Sequence, residues 1–135
     1  MLPSQKPVSR YMSAAPVAIQ QRAAMADAIA LMQKHDVRHL PVLDDKALVG
    51  IVSERDVAMA GALVPESWSE FRVAEAMTPA PYSVLPDTPI TKVASEMAEH
   101  RYGAVVIVGD QGELLGLFTT TDALRVLAAC DVERD

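Results

Sequence analysis

Apolar positions recur with helical spacing in two stretches of this chain. Met25, Ala28, Ile29 and Met32 fall at i, i+3, i+4 and i+7, and Ile90, Val93, Ala94 and Met97 repeat that spacing further on. Each stretch predicts an amphipathic helix. After each come two short apolar runs, His39–Leu43 with Leu48–Val52 and Ala104–Val108 with Leu114–Phe118, which read as paired strands. Asp44-Asp45-Lys46 joins the first pair in a tight turn, and Gly112 marks the turn of the second. A shorter strand is expected ahead of each helix, near Pro16–Gln20 and Pro81–Leu85. A closing helix is expected after each pair, from about Glu54 to Ala60 and from about Thr120 to Ala129. Thr88-Pro89 supplies the second amphipathic helix with a start, Thr88 or Asp87 acting as cap. Gln21-Arg22-Ala23-Ala24 offers the first helix a poorer one.

The same order of elements appears twice because the chain is a duplication. Tyr11-Met12-Ser13-Ala14-Ala15-Pro16-Val17 aligns with Ala76-Met77-Thr78-Pro79-Ala80-Pro81-Tyr82. His35–Val42 aligns with His100–Ile107 at the same offset. Gly50-Ile51-Val52-Ser53-Glu54-Arg55-Asp56 aligns with Gly116-Leu117-Phe118-Thr119-Thr120-Thr121-Asp122 one residue further on, the extra residue lying in the Gly109–Gly112 turn. The repeats span 8–60 and 72–129, with a linker at 61–71 that contains Pro65 and Trp68. Each repeat alone buries little surface, so the two are expected to form one module, packed sheet to sheet about a pseudo-two-fold axis. The fold class is α/β in the α+β sense, two βαββα units.

Composition narrows the function classes. The chain has 135 residues, of which 50% are hydrophobic and 4% aromatic, so the core is aliphatic. No apolar run reaches the length of a membrane span, and the polar, Pro-containing start does not resemble a leader peptide. Twelve basic against eighteen acidic residues give a net charge of −6, with no basic stripe for nucleic acid. The single Cys130 excludes an internal disulfide and suits a reducing, cytoplasmic setting. Three histidines and one cysteine show no metal-ligand spacing, and no nucleophile–base pair is recognisable, so neither a metal nor an enzymatic role is expected.

The two Gly-hydrophobic-x-Ser/Thr-x-x-Asp blocks, Gly50–Asp56 and Gly116–Asp122, carry a family resemblance. Met12-Ser13, Met77-Thr78-Pro79 and His39-Leu40-Pro41-Val42-Leu43-Asp44 support it. Together they resemble the tandem cystathionine-β-synthase (CBS) domain pair, or Bateman module, over roughly Val8 to Ala129. The resemblance implies a regulatory role: sensing an adenine nucleotide (AMP, ADP or ATP) or S-adenosylmethionine, dimerising, and controlling a separate protein partner. It implies no required cofactor, no nucleic acid and no membrane. It groups Thr119, Thr121 and Asp122 with Pro16, Val17, Val37, Arg38 and His39 around one ligand. It groups Ser53, Arg55 and Asp56 with Pro81, Tyr82, Tyr102, Gly103 and Ala104 around another.

Position explains why these blocks suit a nucleotide. The Ser or Thr ends a strand and the Asp falls in the first turn of a helix. There a carboxylate can accept from both ribose hydroxyls, while free backbone N–H groups and the positive helix end favour phosphate. Arg38 and His39 rank the Asp122 group first for a phosphorylated ligand. A plainer reading stands beside this one: Asp56 and Asp122 cap their helices, and the module is a ligand-independent interaction or dimerisation unit with vestigial pockets. In the same way, His35 and His100 fit helix C-termini, the methionines fit core filling, and Trp68 fits an anchor for the linker.

Overall fold

The structure, a computed structural model, describes residues 6–134, with side chains described through residue 130. Its elements in chain order are β1 (Ser13–Ala14), β2 (Ile19–Gln20), α1 (Met25–His35), β3 (His39–Asp44), β4 (Ala47–Ser53) and α2 (Glu54–Leu63). There follow α3 (Val73–Ala76), β5 (Thr78–Pro79), β6 (Ser83–Val84), α4 (Ile90–His100), β7 (Ala104–Val108), β8 (Leu114–Thr119) and α5 (Thr120–Arg134). The fold is mixed α+β with two four-stranded sheets, ordered β2-β3-β4-β5 and β1-β8-β7-β6. In each, a short strand runs parallel to the first strand of an antiparallel hairpin, and a two-residue strand closes the far edge.

The compact units do not coincide with the sequence repeats. One is Pro16–Pro81; the other joins the segment ending at Ala15 to the segment beginning at Tyr82. Each repeat therefore lends its opening segment to the other unit. The first unit's core comprises Ile19, Met25, Ala28, Met32, Leu40, Val42, Val52, Val57 and Val73. The second unit's comprises Val84, Ile90, Val93, Met97, Val105, Ile107, Phe118 and Val8. Apart from Val57, whose equivalent Ala123 is only partly buried, the lists match position for position, and Val8 and Val73, both fully buried, are the crossed pair.

The exchanged segments also explain how α1 and α4 begin. Neither Thr88 nor Asp87 caps α4; Pro89 occupies the N-cap, and no side-chain bond is made there or at Ala24 of α1. Backbone carbonyls from the lent segments serve instead. The Met25 N–H donates to the Phe71 carbonyl at 2.7 Å and the Ile90 N–H to the Lys6 carbonyl at 2.8 Å. In return the Val73 N–H donates to the Ala23 carbonyl and the Val8 N–H to the Thr88 carbonyl, each at 2.8 Å. A helix start needs acceptors for its orphan donors, whatever their source.

Other expectations shift in detail. The short strands ahead of each helix shrink to Ile19–Gln20 and Ser83–Val84, because proline and αL residues interrupt their surroundings. Ala94 is exposed, leaving Ile90, Val93 and Met97 as the buried face of α4. The segment expected as linker carries the end of α2 and a 3-10 turn at Trp68–Glu70, and Trp68 packs against the first core. The first hairpin turns through Asp45 at φ 56° and the second through Gly112 at φ 79°, positions that glycine and short polar residues tolerate.

Candidate ligand-binding site

At the end of β4, the Ser53 N–H donates to Asp56 Oδ2 at 2.8 Å and the Asp56 N–H donates to Ser53 Oγ at 3.1 Å. At the end of β8 the arrangement recurs. Asp122 Oδ2 accepts from the Thr119 N–H at 2.9 Å and from Thr119 Oγ1 at 3.1 Å, while the Asp122 N–H reaches Thr119 Oγ1 at 3.4 Å. Both aspartates thus complete a reciprocal capping box, which the plainer reading of the sequence expected. The cap occupies only one carboxylate oxygen. Oδ1 of Asp122 faces the Arg125 guanidinium at 3.4 Å, whereas Oδ1 of Asp56 has no hydrogen-bond partner among the described residues.

Each corner is completed by the residues just before the hairpin. His39 pairs with Ser53 and Ala104 with Thr119 across the antiparallel ladders. The Glu54 N–H donates to the Arg38 carbonyl at 2.9 Å, and the Thr120 N–H donates to the Gly103 carbonyl at 3.1 Å. The first unit therefore brings together Val37, Arg38, His39, Ser53, Arg55 and Asp56. The second brings together Tyr82, Tyr102, Gly103, Ala104, Thr119, Thr121 and Asp122. Arg38 and His39, expected from the sequence beside Asp122, stand in the same unit as Asp56, whose charge acts on His39. Pro16 and Val17 lie half-buried ahead of β2, and Pro81 half-buried ahead of β6.

Electrostatics distinguishes the corners. Burial lowers the pKa of the His39 imidazole below its ordinary value; Asp56 and Glu54 oppose that shift, and Arg38 reinforces it. Arg38 and Arg55 are exposed beside it. The second corner is aromatic instead. Tyr102 stacks on Tyr82 with ring centroids 5.3 Å apart. Burial, then Glu96, raises the Tyr82 phenol above its usual pKa, so it remains a neutral donor at neutral pH.

Asp122, 7% exposed, also lines a cleft of about 280 Å³ within the second unit, with Tyr11, Met12, Ser13, Arg125, Val126 and Ala129. The sequence reading named none of these six as site residues. The signal was present in part: Asp122, Arg125, Val126 and Ala129 follow helical i, i+3, i+4, i+7 spacing, and Tyr11-Met12-Ser13 opens the first repeat block. What the sequence hides is that this opening segment belongs to the unit carrying Asp122.

Among solved structures, the chain is similar to CBSX2 in complex with AMP, with 25% identity and a TM-score of 0.80 over 95% of this chain and 98% of that one. It is also similar to the CBS domain pair of protein MJ0100 in complex with 5′-methylthioadenosine and S-adenosyl-L-methionine. There the identity is 26% and the TM-score 0.83, over 92% of this chain and 97% of that one. A curated relative, the L-aspartate semialdehyde sulfurtransferase of Methanocaldococcus jannaschii, is 28% identical over 120 residues, 88% of this chain but 23% of that protein. The chain thus spans about a quarter of that relative's length, and the match coincides with the two repeats rather than with a whole enzyme. The CBS domain family itself matches twice, at residues 8–62 and 73–129, over the same segments that build the two capped-aspartate corners, and the chain belongs to that family.

Proposed function

We propose that this chain is a regulatory module that binds an adenine nucleotide or a related adenosyl ligand and passes the change in conformation to a separate protein. The observation that carries the reading is the pair of Ser/Thr–Asp corners. Each places a carboxylate with one oxygen committed to the helix cap; the other, shared with Arg125 in the case of Asp122, is positioned to accept from ribose hydroxyls beside a helix start suited to phosphate. The two similar CBS pairs solved with AMP and with adenosyl ligands support it. Arg38, His39 and Arg55 supply positive charge for a phosphate; Tyr82 and Tyr102 supply aromatic faces for a base. Pro16, Val17, Val37, Pro81, Gly103 and Ala104 are proposed to add apolar and backbone contacts.

A thermal-shift and calorimetric screen with AMP, ADP, ATP and S-adenosylmethionine tests the proposal, because a ligand bound only by the folded state raises its stability. Asp122→Ala is expected to weaken binding at least about tenfold, as loss of a charged acceptor to two hydroxyls implies. A double-mutant cycle then settles which aspartate Arg38 serves: coupling to Asp56 or to Asp122 appears as non-additivity with one and not the other. No shift with any of these ligands at millimolar concentration overturns the reading.

One observation favours the rival, an interaction module without ligand. Met59 and Leu63 on α2 are 59% and 74% exposed, and Leu124 and Leu127 on α5 are each 60% exposed. The equivalent helices of both units thus present apolar side chains, which suits self-association into a homodimer. Sedimentation of the free chain and of Leu63→Glu/Leu124→Glu separates the two: a dimer that the double variant dissociates, with no ligand response, supports the rival.

A further inference from the structure

The last turn of α4 carries a donor set that the proposed ligand does not use. Glu96, Glu99 and His100 lie at i, i+3 and i+4, so all three project from one face of the helix. One potential ligand atom from each lies within 4.8 Å of the others. His100 Nε2 is 3.2 Å from Glu96 Oε2. The imidazole is held by its neighbour, since the His100 and Tyr102 rings stack with centroids 5.2 Å apart at an interplanar angle of 21°. Spacing among histidines and cysteines does not show this set, because two carboxylates accompany a single histidine.

We propose that Glu96, Glu99 and His100 form a binding site for a divalent ion of the zinc, cobalt or nickel class. Two carboxylates balance the charge of such an ion, and the negative end of the α4 dipole adds to the attraction. In tetrahedral coordination, metal–ligand bonds of about 2.0–2.2 Å place the donors of one ion roughly 3.4 Å apart. The observed spread closes to that with small rotations of side chains that are half-buried or exposed. The imidazole sets the preference: nitrogen with carboxylate suits zinc, cobalt or nickel, whereas magnesium and calcium favour all-oxygen sites. Tyr102 lies between His100 and Tyr82, so an ion that pins His100 also alters the aromatic faces of the second corner.

Calorimetry of the full chain at pH 7.5 with zinc chloride, and absorption spectroscopy with cobalt chloride, test the site. The expected result is one ion per chain, a cobalt spectrum, and no heat with magnesium chloride at the same concentration. Glu96→Gln and His100→Gln each weaken binding at least about tenfold, loss of a ligand exceeding the tenfold or more that outer-shell changes cost. His35→Gln, at the corresponding helix end of the first unit, leaves it unchanged. Tyr102 ring signals in the nuclear magnetic resonance spectrum shift with cobalt in the parent and not in His100→Gln. The proposal is overturned by absence of zinc heat up to 1 mM (about 4 kcal/mol of binding free energy), by a His100→Gln titration equal to the parent's, or by loss of binding in His35→Gln.

Discussion

His39 shows how one side chain couples the candidate site to stability. Its imidazole is half-buried in the same unit as Arg38, and partial burial is the leading reason its pKa falls below the ordinary histidine value of about 6.5. The unfolded chain then takes up the proton first as pH drops. The stability tied to His39 is complete above about pH 6.5 and is lost as pH falls from there through the folded value. His39→Gln is expected to flatten the stability profile between about pH 7 and pH 5, measured by urea denaturation at three pH values. An unaltered slope in the variant means that another group governs that window. Asp56 and Asp122 carry a different lesson at this scale. The same carboxylate caps a helix and offers a ligand acceptor, so substituting it costs stability of about 1 kcal/mol as well as affinity. Binding measurements on such variants therefore belong beside melting curves.

Strand β4 and strand β8 each admit a glycine where a methionine from a lent segment crosses the sheet. A Cβ on Gly50 would fall 2.5 Å from Met77 Sδ and 2.9 Å from the Thr78 carbonyl oxygen; the three atoms nearest one on Gly116 all belong to the Met12 side chain. A methionine can swing away, whereas a backbone carbonyl paired in the sheet cannot. Gly50→Ala is expected to destabilise the protein by about 1–3 kcal/mol, as overpacking does, and Gly116→Ala by less. Equal losses in urea melts would show that β5 yields as readily as the methionine. The glycine of each Gly-hydrophobic-x-Ser/Thr-x-x-Asp block thus has a packing reason, independent of any ligand. At the element level most of the architecture was legible. Helical spacing located α1 and α4, apolar runs located both hairpins, and Ser53 and Thr119 marked the starts of α2 and α5. The edge strands β1 and β5 were not legible, because two-residue strands carry no periodicity.

Considered as a whole, the molecule has units that cut across its repeats. Val73 is fully buried in a core otherwise drawn from the first repeat, and Val8 holds the equivalent place in the second unit. Fully burying a valine contributes about 1.5–3 kcal/mol, a large share for a unit of this size. A fragment of residues 16–81 is therefore expected to retain more helical signal and a sharper melt than a fragment of residues 1–66, which lacks Val73 and the Phe71 carbonyl. Indistinguishable circular dichroism from the two would place the folding boundary at the repeats rather than at the units.

Duplication, α+β class, the aliphatic cores and the paired Ser/Thr–Asp motifs follow from local pattern: spacing of apolar residues, turn chemistry and self-similarity along the chain. These were readable because each depends on residues close in sequence. The exchange of Val8 and Val73, the carbonyl caps from Lys6 and Phe71, the cleft beside Asp122 and the company kept by Arg38 and His39 depend on residues distant in sequence. Backbone carbonyls carry no residue identity, and a valine reads the same in any core. Only the tertiary structure decides which unit each of them completes.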